Sequence, residues 1–322
     1  MRILFADKFP AAHLEEIGAR GHDCVSAPDL TDDDLPAQLP GVDALVVRST
    51  RITAATLAAA SELKIVIRAG AGTNNIDKQA AAEKGVYVSN VPGKNAIAVA
   101  ELALGLMLAI DRNIPDNVAE LRAGRWNKKR FSMARGLYGR SLGIVGLGAA
   151  GLAVATRARA FGLHIHVIDK PGRSTQTAAE LLALDATLAP DLATLAARCD
   201  ILSFHLPAAA ETKGLVGRAL LAQMQPGAML INTSRGDVVD EAALIEALDN
   251  KGLRAGLDVY AGEPASGEGE FHSALSQHPR VYGTHHIGAS TEQAQNAVAD
   301  GVIEILTAFA AGKVLYCVNG LA

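Results

Sequence analysis

Gly146-Leu147-Gly148-Ala149-Ala150-Gly151 follows the apolar run Leu142-Gly143-Ile144-Val145 and opens an Ala-rich stretch that continues to Ala160. Strand, glycine turn and helix, in that order, form the phosphate-binding start of a parallel βαβ unit. Gly146 permits the tight turn, Gly148 lets a pyrophosphate approach the backbone, and Gly151 lets helix and strand pack closely. The first peptide N–H groups of the helix, around Ala149 and Ala150, then favour an anion. Residues 164–168 read as the next strand, and Asp169 ends it where a carboxylate accepts hydrogen bonds from an adenosine ribose. That carboxylate repels a 2′-phosphate, so NAD is expected ahead of NADP. Lys170 and Arg173, just downstream, are either solvated loop charges or a route to some NADP use.

Outward from this motif, Val/Ile/Leu-rich runs alternate with helical runs over most of the chain, which predicts an α/β protein with parallel sheets. Upstream, strands are expected at residues 2–6, 43–48, 64–68 and 86–89, with helices at 11–19 and 53–60. That is one open sheet. From Ser141 the pattern restarts, with strands at 142–145, 164–168, 200–206, 229–232, 255–259 and 281–283. Between the two sheets, residues 95–110 predict a long helix and residues 116–135 a polar, basic arm. A final helix is expected at 291–310, with Ala294, Ala297, Val298, Val302, Ile305 and Leu306 on one face, returning to the first domain. A chain of 322 residues suits two cores of ordinary size.

Composition narrows the function. Nearly half the residues are apolar and a fifth charged, with a net charge of -4 and no long basic run, so nucleic acid is not an expected partner. Cys24, Cys199 and Cys317 are far apart, without zinc-ligand spacing, so no metal is expected. The amino terminus lacks the long apolar centre of a signal peptide, and the most apolar stretch, residues 96–110, is too short and interrupted to span a bilayer. Cytoplasm is the expected location, with no membrane partner.

Further motifs accompany the glycine turn: Val47-Arg48-Ser49-Thr50, Arg68-Ala69-Gly70-Ala71-Gly72, residues 95–101, Asn232-Thr233-Ser234-Arg235-Gly236, Leu257-Asp258-Val259-Tyr260, Glu263-Pro264 and His286-Ile287-Gly288-Ala289-Ser290-Thr291. Through this ordered set the sequence resembles the D-isomer-specific 2-hydroxyacid dehydrogenases, and within them the phosphoglycerate dehydrogenase branch. The resemblance implies a Rossmann-type NAD-binding domain, residues 96–288, inserted in a flavodoxin-like substrate domain of residues 1–95 and 289–322. It implies a catalytic trio of Arg235, Glu263 and His286, and each residue type suits carbonyl reduction. An Arg binds carboxylate and ketone oxygens in a planar fork. A His gives the carbonyl oxygen a proton in reduction and takes it back in oxidation. A Glu on the other ring nitrogen fixes the tautomer and favours the imidazolium. The family usually has Pro before its catalytic His. Here His285 stands there and competes, while the following Ile-Gly-Ala-Ser-Thr aligns His286.

By the same resemblance, Asp258 accepts from the nicotinamide carboxamide, unless it is a strand-terminal turn residue. His205 and Pro207 line the nicotinamide ribose with backbone, the His205 ring being structural, and Thr233 and Gly288 complete the cofactor set. On the substrate side, Ala69 and Gly70 are expected to offer backbone N–H groups to a carboxylate, with Asn95 nearby. Arg48 and Arg68 are then available for a phosphate, as D-3-phosphoglycerate or 3-phosphohydroxypyruvate would carry. Lys128, Lys129 and Arg130, after Trp126, add arm charge across a dimer interface or are simply solvated. A homodimer is expected, and no appended effector domain, since the chain ends at Ala322. Two alternatives stay open. A hydroxypyruvate or glyoxylate reductase shares the trio, and an NAD-sensing partner-binding protein retains the fold without needing turnover.

Overall fold

The computed structural model describes residues 1–264 and 268–321. It divides into two compact units: Met1–Asn95, Pro264–Gly269 and Ala289–Ala322 form the first, and Ala96–Glu263 with Glu270–Gly288 the second.

The first unit holds β1 (Arg2–Phe5), β2 (Asp23–Ser26), β3 (Ala44–Val47), β4 (Ile65–Arg68) and β5 (Tyr87–Asn90) in the order β2-β1-β3-β4-β5. All neighbours pair in parallel. The central strands are apolar on both faces because helices cover both. Leu4, Leu45, Val47, Val66 and Val88 enter one core, whereas Ile3, Phe5, Val46, Ile65 and Ile67 enter the other. The second core is closed by Val298, Val302, Ile305 and Leu306 of the helix Glu292–Ala310. Thr291 caps that helix, its side chain accepting from the Ala294 N–H. β2 was not expected. Its sequence Asp-Cys-Val-Ser is half polar, and as an edge strand it leaves its end residues exposed, so no apolar pattern announces it.

The second unit has seven parallel strands: β6 (Ser141–Val145), β7 (His164–Ile168), β8 (Thr187–Ala189), β9 (Ile201–Phe204), β10 (Met229–Asn232), β11 (Arg254–Leu257) and β12 (Val281–Gly283). Their order, β12-β11-β10-β9-β6-β7-β8, reverses direction between β6 and β9, where a doubly wound sheet binds ligands beyond its strand ends. The helices Ala96–Arg112 and Ala149–Ala160 fill one face, and those at Leu192–Arg198, Arg218–Gln223 and Glu241–Lys251 the other. Gly256 of β11 lets the first of these approach: a Cβ there would stand 2.9 Å from the Leu106 Cβ. The region expected as an arm begins as a helix, Ile114–Arg122. Pro in its first turn, Asp116 near its start and Arg122 at its end give it ordinary helix-end chemistry. No helix among the described residues is long and apolar enough to cross a membrane.

Candidate active site

Three adjacent strands, β10, β11 and β12, end in register, Asn232 beside Leu257 and Leu257 beside Gly283. Their carboxyl ends carry Arg235, Asp258 with Glu263, and His286. Asn232 shapes the first loop: its side-chain oxygen accepts from the Ser234 N–H at 3.0 Å and Oγ at 2.7 Å, and its Nδ2 donates to the Arg235 carbonyl at 2.8 Å. Gly236 then passes so close to the next loop that a Cβ would lie 2.1 Å from the Tyr260 carbonyl carbon. A glycine after the arginine is thus required to bring the Arg235 and Glu263 loops together.

Glu263 Oε1 and His286 Nδ1 are 2.5 Å apart, while Oε2 accepts from the Tyr260 N–H at 3.1 Å. Burial alone would raise the Glu263 carboxyl, yet the hydrogen bond and charge of His286, the Tyr260 N–H and the Arg235 charge hold it below the usual carboxylate range. It is therefore an anion at neutral pH. Burial lowers the Arg235 pKa and the Glu263 charge opposes this; a guanidinium starts so high that it stays a cation. His286 is 48% exposed at its side chain, and its Nε2 makes no hydrogen bond among the described residues. His285 is exposed and makes no hydrogen bond or ion pair among them.

Asp258, expected to meet the cofactor or to act as a strand-terminal turn residue, holds the catalytic loop in place. The residue is 1% exposed, and the loop 284–288 is wrapped around it. Thr284 Oγ1 and the Ile287 N–H donate to Oδ1 at 2.6 and 2.8 Å, the Gly288 N–H donates to Oδ2 at 2.8 Å, and the His286 N–H donates to the Asp258 carbonyl at 2.8 Å. These bonds hold His286 at φ 52°, a left-handed backbone that costs a non-glycine residue about 1–2 kcal/mol. The Gly288 N–H is thereby spent on loop closure. One acceptor position on Oδ2 remains for a further donor.

At the switch point Val145 pairs beside Phe204, so Gly146 and His205 leave the sheet side by side. A Cβ on Gly146 would meet the His205 carbonyl oxygen at 2.3 Å, and one on Gly151 the Gly146 carbonyl oxygen at 1.9 Å, whereas one on Gly148 would point into open space. The helix Ala149–Ala160 has no side-chain cap at Gly148. Thr233 Oγ1 is buried without a partner among the described residues, a group that a bound ligand would satisfy. Cradle, uncapped helix start and orphaned hydroxyl fit a dinucleotide. Asp169 is exposed after β7, and Arg173 folds back to donate to the Ile168 carbonyl. Burial pushes the His205 imidazole down to about 4, and its Nε2 pairs with Ser203 Oγ at 2.8 Å, which suits a neutral structural ring. Pro207 is exposed, its carbonyl accepting from Thr212 Oγ1 at 2.7 Å.

In the first unit, the two peptide N–H groups expected to meet a substrate carboxylate already have backbone partners. The Ala69 N–H donates to the Val47 carbonyl at 2.7 Å and the Gly70 N–H to the Arg68 carbonyl at 2.8 Å, so both are already spent within the backbone. The Arg68 side chain lies directly over Gly70, where a Cβ would come 1.6 Å from Nη1. This tight turn is why the position needs glycine, with φ 140°. Arg48 is half-buried after β3, and Asn95 half-buried before the helix Ala96–Arg112.

Residues 104–288 match the family model described as D-isomer specific 2-hydroxyacid dehydrogenase, NAD binding domain. The chain is 41% identical over 317 residues to a D-3-phosphoglycerate dehydrogenase of Mycobacterium tuberculosis, covering 97% of this chain and 57% of that protein. It thus spans little more than half the length of that relative. A hydroxypyruvate reductase of Thermotoga maritima is 41% identical over 282 residues, covering 87% of this chain and 89% of the relative. The crystal structure of an NAD⁺-bound 3-phosphoglycerate dehydrogenase of Entamoeba histolytica superposes with a TM-score of 0.80 at 28% identity, covering 99% of this chain and 98% of that one. On these grounds the chain belongs to the D-isomer specific 2-hydroxyacid dehydrogenase family.

Proposed function

We propose that the protein is an NAD-dependent dehydrogenase that interconverts D-3-phosphoglycerate and 3-phosphohydroxypyruvate. The observation that carries the dehydrogenase reading is the pair His286 Nδ1 to Glu263 Oε1 at 2.5 Å, standing beside Arg235 at adjacent strand ends, and the choice of a phosphorylated acid rests on Arg48 and Arg68. When bound, NAD supplies hydride chemistry, as acceptor in oxidation and donor in reduction. Gly146, Gly148, Gly151, Ala149 and Ala150 would hold its phosphates, Asp169 its adenosine ribose, and Thr233, Asp258 and the backbone of His205 and Pro207 its nicotinamide end. In oxidation, His286 Nε2 takes the proton of the C2 hydroxyl as the C2–O bond gains double-bond character; in reduction it returns that proton to the carbonyl oxygen. Glu263 keeps Nδ1 protonated and supports the charged ring, and Arg235 grips the substrate carboxylate and polarises the C2 oxygen.

On the substrate side we assign Arg48 and Arg68 to the phosphate, with Asn95 as a neutral hydrogen-bonding partner. The active form is proposed to be a cytoplasmic homodimer. A panel of 3-phosphohydroxypyruvate, hydroxypyruvate and glyoxylate, followed by absorbance with NADH and NADPH, tests the reading. The phosphorylated acid with NADH should show the highest kcat/KM, and Arg48→Ala should lower that value by more than it lowers the value for glyoxylate. Equal or better turnover of hydroxypyruvate or glyoxylate would promote a reductase function instead. No turnover of any would favour an NAD-sensing binding protein, and a preference for NADPH would remove Asp169 from the ribose.

A further inference from the structure

Arg48 is fastened at both ends of its side chain. At the backbone end, one carboxylate oxygen of Asp7, just after β1, accepts three consecutive N–H groups, those of Arg48 at 2.6 Å, Ser49 at 3.1 Å and Thr50 at 3.2 Å. Three successive peptide N–H groups closing on one anion make a stiff loop. Thr50 adds a bond from Oγ1 to the Ala6 carbonyl at 3.3 Å. At the far end, Arg48 Nη2 donates to Ser290 Oγ at 3.0 Å. Ser290 is itself anchored, because Thr291 caps the 19-residue helix that follows it. All these residues lie in the first unit.

A free arginine has many rotamers to lose when it grips a ligand, and a side chain already held in place loses fewer. Among the described residues the bond to Ser290 uses one of five guanidinium N–H donors and leaves four, enough for a two-point grip on a phosphate. We propose that Asp7 and Ser290 are positioning residues that preorganise Arg48, making this end of the site selective for a 2-keto acid with a second, phosphate-like anion. The proposal rests on the assignment of Arg48 to the substrate phosphate. It also gives the Ala289-Ser290-Thr291 stretch a task separate from that of His286.

The test is a double-mutant cycle of Ser290→Ala, Arg48→Ala and the combined variant, with Ser290→Thr as the conservative replacement. Each is assayed with 3-phosphohydroxypyruvate and with glyoxylate, and melting temperatures check folding. Ser290→Ala should raise KM for the phosphorylated acid about three- to tenfold, the net worth of one ordinary hydrogen bond, while kcat and glyoxylate kinetics hold. In the Arg48→Ala background the same change should do nothing, and Ser290→Thr should restore most of the affinity. An unchanged or lowered KM in Ser290→Ala, an equal effect on both substrates, or an undiminished effect without Arg48 would overturn the proposal. If Arg48→Ala by itself shows no preference between the substrates, the phosphate assignment fails and the proposal with it. That outcome is distinct, because it appears without any change at Ser290.

Discussion

At the scale of single residues, the chemistry depends on which of two adjacent histidines meets a carboxylate. His286 is paired with Glu263 and His285 is solvated, so the two should differ sharply on substitution. His286→Ala is expected to lower kcat by about 10²–10⁴-fold, the usual worth of a positioned acid–base, and His285→Ala by less than about tenfold. The reverse order in steady-state assays would reassign the proton carrier. Glu263→Gln keeps the shape of the pair and removes its negative charge. The protonated ring is then less favoured, and reduction requires that form. The alkaline limb of kcat/KM for reduction should therefore move to lower pH, and the acid limb for oxidation should move the same way. Profiles that coincide with wild type, under conditions where chemistry limits the rate, would dissolve the pairing.

At the scale of elements, the site is made by loops pressed against strand ends with no space to spare. The glycine turn illustrates this, since Gly151 faces the carbonyl of Gly146 at a distance no Cβ tolerates. Gly151→Ala must push the helix Ala149–Ala160 away from β6, at a cost on the order of 1–3 kcal/mol of stability from overpacking. The helix start moves with it, so NADH affinity measured by fluorescence titration should fall at least about tenfold. Gly148→Ala meets open space and should be far milder for the melting temperature of the free protein. Equal melting temperatures for the two variants would contradict the close packing of helix on strand. The Asp258 clamp obeys the same logic: a buried carboxylate serves as the peg around which the His286 loop is wound.

At the scale of the whole molecule, the second unit displays apolar surface that its own core does not use. Trp126, Met133 and Tyr138 are 82%, 85% and 87% exposed, within a stretch of little more than a dozen residues. Large exposed aromatic groups gathered in one segment mark an association surface, and the proposed homodimer is its expected partner. A second copy would cover Trp126, the single tryptophan of the chain. Sedimentation should give twice the 33.4 kDa chain mass, and dilution to the monomer should shift tryptophan emission to the red. A monomer at all accessible concentrations would remove the homodimer.

The sequence by itself determined the features that repeat or punctuate locally. The glycine turn, the central apolar strands, the long helices and the type of residue at each strand end could all be read, because period and turn chemistry are written in neighbouring positions. The edge strands β2 and β8 escaped because an edge does not require a fully apolar run. Apart from the pair of Glu263 and His286, which the family resemblance implies, hydrogen-bond partners were decided only in the folded chain. Ala69 and Gly70 looked like free donors until β3 lay beside β4 and the turn closed on Arg68. The loop-holding task of Asp258 came into view only when β12 brought the loop 284–288 to it. Arg48 meets Ser290 across 242 residues of sequence, a separation that no local pattern spans. Propensity acts between neighbours, whereas the choice of partner is made by strand register and helix docking, which bring distant segments together only when the whole sheet has formed.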